Sequence, residues 1–305
     1  MKRRKFLKSA GAATISLPLI NTYLVDNFFS DEQIKKITIL HTNDVHSHID
    51  PFPVNHKKYP NLGGAARRFN AIQYVRKNNP NTLLLDAGDA FQGTPYFNFY
   101  GGELEYKLMS KMGYHASTIG NHEFDNGIDN ITQQLEFADF DMINANYDFS
   151  QTSLSGKTRP HKVYEIDRLK IGVFGLGIKL DGLVSKKLYQ DTLYYDPVEV
   201  AREQANILRN QKKCDLVICL SHLGFEYASD KISDKKLASL TKGIDLIIGG
   251  HTHTFLDKPV TVKNLDNQDV MINQVGWAGI NLGKIDFYFS KDRSEKASAS
   301  LIELN

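Results

Sequence analysis

An α/β fold with a largely parallel sheet is predicted by two features of this 305-residue sequence. Short apolar runs typical of buried strands alternate with stretches of helical periodicity, as in βαβ units. In addition, four groups of polar residues each follow directly after one of the apolar runs. Because ligands bind at the carboxyl ends of strands in open α/β sheets, these groups are expected to converge on one site.

The first half of the chain supplies its elements in the order expected of βαβ units. A strand at 36–40 (KITIL) precedes a helix at 63–78, which ends before Asn79-Pro80. This half continues with a strand at 82–86, a helix at 101–113 after a glycine-rich turn, and strands at 115–119 and 140–145 around a helix near 127–138.

The second half begins with a segment at 161–177 that alternates around a polar turn and predicts a β-hairpin. An amphipathic helix at 197–213 then leads into a strand at 215–220. The remaining elements are a helix near 233–241, a strand at 244–250 and an antiparallel end formed by 259–264, 269–275 and 281–290. No internal repeat or long linker interrupts the pattern. One domain over 36–290 is therefore predicted, followed by a C-terminal tail at 291–305.

The first thirty residues differ in kind from the rest. The basic cluster KRRKFLK contains Arg3 and Arg4, and an apolar run at 10–20 follows it. This arrangement resembles a bacterial twin-arginine export signal. The apolar run is shorter than the roughly 20 residues that span a bilayer, and no A-x-A cleavage site follows. We expect export to the periplasm or the outer face of the cytoplasmic membrane, with membrane attachment only through an uncleaved signal.

The charge of the remaining chain argues against a general nucleic-acid-binding protein. The whole sequence carries a formal net charge of +2. Residues 1–30 contribute five basic and one acidic side chain, so the rest of the chain has a net charge of −2. A nucleic-acid-binding domain would need a basic face.

The two cysteines are expected to be buried thiols. Cys214 and Cys219 lie five residues apart in a strand-like run. At about 3.3 Å per residue in an extended segment, they are too far apart for a disulfide.

The polar groups at the predicted strand ends are typical of a divalent metal site. Taken singly, each residue could be a helix cap, a turn residue or a satisfied histidine. Together they offer carboxylate, imidazole and amide donors, the mixture that binds Zn, Mn, Fe or Co. The candidate ligands are Asp44, His46, Asp89, Asn121, His222, His251 and His253.

The order of these motifs resembles that of the calcineurin-like metallophosphoesterases. Within that family, the segments ILHTNDVHSH, LGGAAR, DAGDAFQGTP and NHEFD are similar to the 5′-nucleotidase branch. The resemblance extends over about residues 36–290. It implies a four-layer α-β-β-α sandwich with two divalent metal ions at the strand ends.

The resemblance also implies a division of roles among the ligands. Asp89 would bridge both metals, and the two sets would be Asp44, His46 and His253 for the first metal and Asn121, His222 and His251 for the second. A carboxylate bridge suits two cations about 3.5–4 Å apart, and a water between them loses a proton near neutral pH. That hydroxide would attack phosphorus directly.

A second implied feature is a catalytic pair, His122 and Asp125. His122 would stabilise the transition-state oxygens or protonate the leaving alkoxide, and Asp125 would favour the charged imidazole. Glu123 is expected to support the site through hydrogen bonds. His41 is interpreted as a satisfied buried polar residue and His48 as a candidate that supports the motif.

The predicted function is two-metal hydrolysis of phosphate esters, most simply as a 5′-nucleotidase-type phosphohydrolase. The alternatives are a 2′,3′-cyclic-nucleotide phosphodiesterase, a nucleotide-sugar hydrolase, or a non-catalytic metal-binding interaction module. The last is disfavoured because all the implied ligands and the His122–Asp125 pair are present.

The sequence leaves recognition of the nucleoside open. Long 5′-nucleotidases carry a C-terminal domain that supplies the nucleoside pocket, and a separate partner chain is one source of such a domain here. The 14 tyrosines and 17 phenylalanines are spread along the chain. They are therefore interpreted as core and surface residues rather than as a base-stacking platform.

Export by the twin-arginine route is testable with a reporter fused behind residues 1–35. We expect the fusion to cross the membrane only through that route, and the double change Arg3→Lys with Arg4→Lys to block it. A matched control replaces the basic residues Lys5 and Lys8 by arginine, which leaves the twin arginines intact. Normal export of the Arg3→Lys, Arg4→Lys fusion would show that this segment is not a twin-arginine signal.

Overall fold

A computed structural model describes residues 34–290 and 295–305. The predicted export signal at residues 1–30 lies outside these described residues. Within them, none of the helices has the length and apolar character needed to cross a membrane.

Two six-stranded sheets form the centre of the fold. The first contains, in spatial order, β14 (Glu295–Glu303), β13 (Asn281–Phe289), β1 (Lys35–Thr42), β2 (Thr82–Asp86), β3 (Ala116–Ser117) and β4 (Asp141–Met142). The second contains β11 (Val260–Lys263), β12 (Asp269–Asn273), β10 (Leu246–Gly249), β9 (Leu216–Ser221), β7 (Leu169–Leu176) and β6 (His161–Ile166). A small separate pair joins β5 (Tyr147–Asp148) to β8 (Leu193–Tyr194).

Helices cover the outer faces of both sheets. The α-helices are α1 (Ala65–Asn78), α2 (Pro95–Tyr100), α3 (Glu103–Met112), α4 (Ile128–Gln134), α5 (Lys186–Tyr189), α6 (Pro197–Asn206) and α7 (Asp234–Leu240). Single 3₁₀ turns lie at His122–Phe124 and Leu135–Phe137, and α6 continues into a π-helical turn at Ile207–Gln211.

The alternation of apolar side chains along the strands produces four layers. In β2, Leu83 and Leu85 enter the core between the sheets, whereas Leu84 packs into the core shared with α1, α3 and α4. In β9, Ile218 enters the central core, and Cys219 packs on the opposite face, in the core shared with α6 and α7. Side chains of successive strand residues point to opposite faces, so each central strand feeds two cores. The predicted α-β-β-α sandwich is confirmed.

Parallel pairing fixes the position of the strand ends. In the first sheet β1, β2, β3 and β4 pair in parallel, and in the second β7, β9, β10 and β12 do so. Antiparallel strands are confined to the flanks, where β13 and β14 extend the first sheet and β6 and β11 close the second. The segments that follow β1, β2, β3, β9 and β10 therefore emerge on one side.

The predicted hairpin at 161–177 is confirmed, since β6 and β7 pair through a two-residue turn. Asp167 and Arg168 both have positive φ angles, 50° and 64°, as a tight turn that matches the twist of the strands requires. The buried thiols are confirmed as well, because Cys214 and Cys219 are free and buried.

The C-terminal part of the prediction needs two corrections. The antiparallel end is divided between the sheets: β11 and β12 belong to the second, whereas β13 crosses to the first. The segment expected to be a tail contains β14, which pairs with β13 along its whole length. Strand β14 alternates small polar residues with Ala and Leu, a weak pattern that pairing with a neighbouring strand stabilises.

Candidate metal centre

Seven polar side chains meet where the two sheets end. Asp44 and His46 follow β1, Asp89 follows β2, Asn121 follows β3, His222 follows β9, and His251 and His253 follow β10. The structure therefore brings together all seven candidate ligands predicted from the sequence.

These residues form two groups with metal-ligand spacing. One donor atom each of Asp44, His46 and His253 lie within 4.8 Å of one another, and the same holds for Asp89, His222 and His251. These donor types and spacings suit a divalent ion in each group.

The carboxylate of Asp89 faces both groups. Its Oδ2 lies 2.9 Å from Nε2 of His222 in the second group and 3.9 Å from Nε2 of His46 in the first. Asn121 adjoins the second group, because its Oδ1 lies 2.7 Å from Nδ1 of His251. Asp89 is thus placed to bridge two ions.

The backbone is strained at five of these residues. The φ angles are positive at Asp44 (50°), His46 (50°), Asp89 (56°), His251 (71°) and His253 (51°). Residues other than glycine rarely adopt this region, and such strain persists only where the surrounding structure enforces it. Its concentration at the candidate ligands indicates a functional site.

Hydrogen bonds between the strand-end loops enforce this backbone. The His46 N–H donates to the Asp89 carbonyl at 3.0 Å, and the His251 N–H donates to Asp44 Oδ1 at 2.9 Å. The His122 N–H donates to Asp89 Oδ1 at 2.8 Å. The Asp44 carboxylate is therefore oriented by the loop that follows β10, and the Asp89 carboxylate by the loop that follows β3.

The histidines are oriented as metal ligands are. The Nδ1 atoms of His222 and His46 lie 2.7 Å and 3.1 Å from the carbonyls of Ala87 and Phe91. Donation from Nδ1–H to these carbonyls leaves the Nε2 lone pair of each neutral ring free to bind a metal.

Two further contacts fit cations held between the ligands. His222 Nε2 is buried and lies 2.9 Å from Asp89 Oδ2, so when the ring is neutral and protonated on Nδ1, two lone pairs face each other. Nε2 of His46 and Nε2 of His253 face each other at 3.0 Å. Cations between these atoms would satisfy both contacts, so the residues fit a two-metal centre.

The pKa shifts agree with this interpretation. Burial lowers the pKa of His46 below the ordinary histidine value. Burial, together with the charge on His222, lowers the pKa of His251 to about 4, so the neutral form of that ring is favoured. For His222, burial is outweighed by the carboxylates of Asp89 and Asp44, which raise its pKa to about 10. A metal ion would take the place of that extra proton.

His122 and Asp125 form a pair beside the centre. His122 Nδ1 donates to Asp125 Oδ2 at 2.8 Å, and both side chains are about one-third exposed. The hydrogen bond to Asp125 raises the pKa of His122; burial opposes this, and the charge of Asp89 adds to it. The His122 ring is therefore protonated more readily than an ordinary histidine.

Glu123 fastens two of the strand-end loops to each other. Its buried carboxylate accepts hydrogen bonds from the backbone N–H groups of Asp89 (3.0 Å), Ala90 (2.7 Å) and Gly120. The last of these needs a close approach, since a Cβ atom on Gly120 would overlap the Asp89 carboxylate. The structure thus shows the hydrogen-bonding role expected for Glu123.

Two other histidines lie near the centre. His41 is fully buried, and its Nε2 contacts the Asn273 amide nitrogen at 2.9 Å. Its Nδ1 has no hydrogen-bond partner among the described residues, so the expectation of a fully satisfied histidine was wrong for this atom. Burial lowers its pKa to about 3. His48 Nδ1 lies 2.8 Å from the His46 carbonyl and so contacts the backbone of a candidate ligand.

Comparison with known proteins agrees with this geometry. Residues 37–255 match the calcineurin-like phosphoesterase family. The chain belongs to this family. Its members bind two divalent metal ions.

The similar proteins include 5′-nucleotidases. The snake venom 5′-nucleotidase of Gloydius brevicauda is 34% identical over 292 residues, which cover 88% of this chain and 48% of that protein. The trifunctional nucleotide phosphoesterase protein YfkN of Bacillus subtilis (strain 168) is 31% identical over 304 residues, which cover 88% of this chain and 19% of that protein. Among solved structures, the 5′-nucleotidase precursor from Thermus thermophilus has a TM-score of 0.81 and 31% identity, over 88% of this chain and 55% of that one.

This chain aligns with only part of the length of each of these relatives. The chain spans about half the length of the snake venom enzyme and about one-fifth of the Bacillus protein. The segment that matches the family, residues 37–255, contains all of the candidate ligands.

One group of residues near the centre was not recognised from the sequence. Phe52, Tyr59, Phe255 and Trp277 contact one another beside His253. The sequence interpretation treated the aromatic residues as dispersed, because the loops that carry these four rings are far apart in the chain. The only local signal is the position of Phe255, two residues after a candidate ligand.

Glu123→Gln is expected to loosen the metal centre without touching a ligand. The new amide NH₂ would face backbone N–H donors in a buried site, which costs about 1–3 kcal/mol. We expect a lower free energy of unfolding and weaker metal binding, measured by chemical denaturation and by metal titration. Glu136→Gln, at an exposed position, is the matched control. Unchanged stability and metal affinity in Glu123→Gln would show that the carboxylate does not hold the loops.

Proposed function

We propose that this chain is a metal-dependent phosphoric ester hydrolase that acts on nucleotides or related small phosphoesters. The observation that carries the proposal is the pair of ligand groups joined at Asp89, with the His122–Asp125 pair beside them. Family membership and the resemblance to 5′-nucleotidases support the same class of reaction.

In this proposal, Asp44, His46 and His253 would hold one divalent ion, Asn121, His222 and His251 would hold the other, and Asp89, whose carboxylate faces both groups, would contribute to each. The donor set suits Zn, Mn, Fe or Co. Bound there, the ions would polarise the phosphate and lower the pKa of a water nucleophile. The protein's own part is to hold the ligands in a strained, hydrogen-bonded arrangement that needs no reorganisation during the reaction.

His122 is proposed to deliver the proton. Its Nδ1–H is engaged by Asp125 at 2.8 Å, which leaves Nε2–H of the charged ring for a phosphate oxygen or the leaving alkoxide. The ring lies 5.2 Å from the His46 ring between centroids, so it borders the metal centre without belonging to the ligand set. Asp125 sets the orientation and the charge of that ring.

The finer biological setting is also part of the proposal. The predicted signal would place the enzyme in the periplasm or on the outer face of the cytoplasmic membrane. A separate polypeptide is also proposed to supply further nucleoside contacts.

The first test of the function is Asp89→Asn. The amide removes the charge that faces both ligand groups, so the protein should bind fewer than two divalent ions per chain. Hydrolysis should fall by more than the roughly 10–100-fold that loss of a supporting residue costs. Metal analysis and turnover of a chromogenic phosphate ester measure the two effects, with the exposed Asp139→Asn as control. Full activity of chelated, metal-free protein would exclude the proposed mechanism.

The second test is the pH dependence of kcat in Asp125→Asn. The active form carries a proton on His122, so activity is present below the His122 pKa and is lost as the pH rises through it. Asp125 raises this pKa above its ordinary value of 6.5, so the variant should lose activity at a lower pH.

His122→Asn provides the comparison for that profile. It should lower kcat by about 10²–10⁴-fold, abolish the alkaline limb and retain two metal ions. His161→Asn, which removes a histidine that contacts Gln204, should leave the profile unchanged. An alkaline limb that stays in place in Asp125→Asn, or loss of metal from His122→Asn, would show that the pair does not have this role.

A further inference from the structure

Four aromatic side chains from three loops form one continuous surface beside the metal centre, which we call the aromatic wall. It consists of Phe52, Tyr59, Phe255 and Trp277. Tyr59 is its centre, with ring centroids 5.5 Å from Phe52, 6.0 Å from Phe255 and 6.3 Å from Trp277. Aromatic pairs at these separations attract one another.

The wall is continuous with the metal centre. The Trp277 ring lies parallel to the His253 ring, with an interplanar angle of 4° and a centroid separation of 5.6 Å. His253 is in turn 4.9 Å from the His46 ring. Only the His253 ring separates the ring of His46, a candidate ligand, from the Trp277 ring of the wall. A molecule whose phosphate is bound by the ligand groups therefore lies close to the wall.

The wall does not serve as core. Among the described residues, the three hydrophobic clusters of the sandwich contain none of its four rings. Phe255 is 42% exposed, and the other three side chains are partly exposed. By contrast, Phe91 and Tyr106 in the first core are fully buried. An aromatic surface left open at the edge of a polar site is typical of ligand binding.

We propose that the aromatic wall binds the base of a nucleotide substrate while the metal centre holds its phosphate. This inference rests on the proposed function and specifies its leaving group. A nucleobase presents a flat π-face, and stacking on aromatic side chains tolerates any base. Lys57 and Lys58 lie on the same loop as Tyr59 and give this edge positive charge that favours an anionic ligand.

The leaving group can also reach the proposed proton donor. His122 and His253 both border the His46 ring, at centroid separations of 5.2 Å and 4.9 Å. A nucleoside leaving group placed over His46 would present its 5′ oxygen to His122 and its base towards Trp277. The wall would thereby position the ester as well as increase its affinity.

The kinetic test compares adenosine 5′-monophosphate with ribose 5-phosphate, which share the leaving oxygen and differ in the base. The full chain loaded with Mn²⁺ should show the higher kcat/KM for the nucleotide. Tyr59→Ala and Phe255→Ala should reduce the ratio of the two kcat/KM values by roughly 5-fold or more, as loss of base stacking does. Tyr59→Phe, which keeps the ring, should restore the ratio, and Tyr74→Ala, on the exposed face of α1, should not change it.

A binding test does not depend on turnover. Trp277 is the single tryptophan of the chain, so its fluorescence reports directly on the wall. Adenosine should quench this fluorescence saturably, ribose should not, and Tyr59→Ala should weaken the adenosine effect about 5-fold or more. Free N-acetyltryptophanamide measures the collisional quenching to be subtracted.

The two tests separate this inference from the function on which it rests. An unchanged substrate ratio in both alanine variants, or quenching by adenosine that does not saturate, would exclude the wall as a base site. Hydrolysis of neither ester by the metal-loaded protein would count against the proposed function, and the fluorescence titration alone would then decide the inference.

Discussion

The site depends on the contacts that surround the buried carboxylate of Asp89. It faces His222 and His46, accepts a hydrogen bond from the His122 backbone, and lies where a side chain on Gly120 would overlap it. A charge in such a place is costly unless it is paired. Its pKa falls below the ordinary value because the neighbouring imidazoles, led by His222, outweigh the effect of burial. Two cations would provide the same compensation more completely.

The two sheets allow this concentration of polar groups to persist. Parallel pairing brings five strand ends to one side, and three apolar cores below them stabilise the backbone that these ends continue. Positive φ angles at the ligands each cost free energy. Hydrogen bonds between loops, above all those accepted by Glu123, offset that cost locally.

In the proposed arrangement, proton transfer and substrate recognition take place on different sides of the His46 ring. The His46 ring has the proposed proton donor His122 on one side and His253, backed by Trp277, on another. The metal centre would bind any phosphate ester. Discrimination among esters would therefore depend on groups outside the ligand set, and the aromatic wall is the surface that we propose for this role.

The local pattern of apolar and polar residues in the sequence was enough to predict several strands and the candidate site residues. Apolar runs located β1, β2, β9 and β10, and the polar residues after them predicted most of the candidate ligands, because a strand end fixes which side of a sheet a neighbouring residue reaches. The His122–Asp125 pair was equally visible, since its members lie three positions apart in a single turn. The lengths of β3 and β4, each of two residues, were less visible, as was the addition of β14 to the first sheet. These features depend on pairing with distant strands.

The aromatic wall could not be predicted from the sequence, because only the tertiary structure brings its rings together. Tyr59 and Phe255 are almost two hundred residues apart, and no sequence periodicity indicates a contact between loops of different sheets.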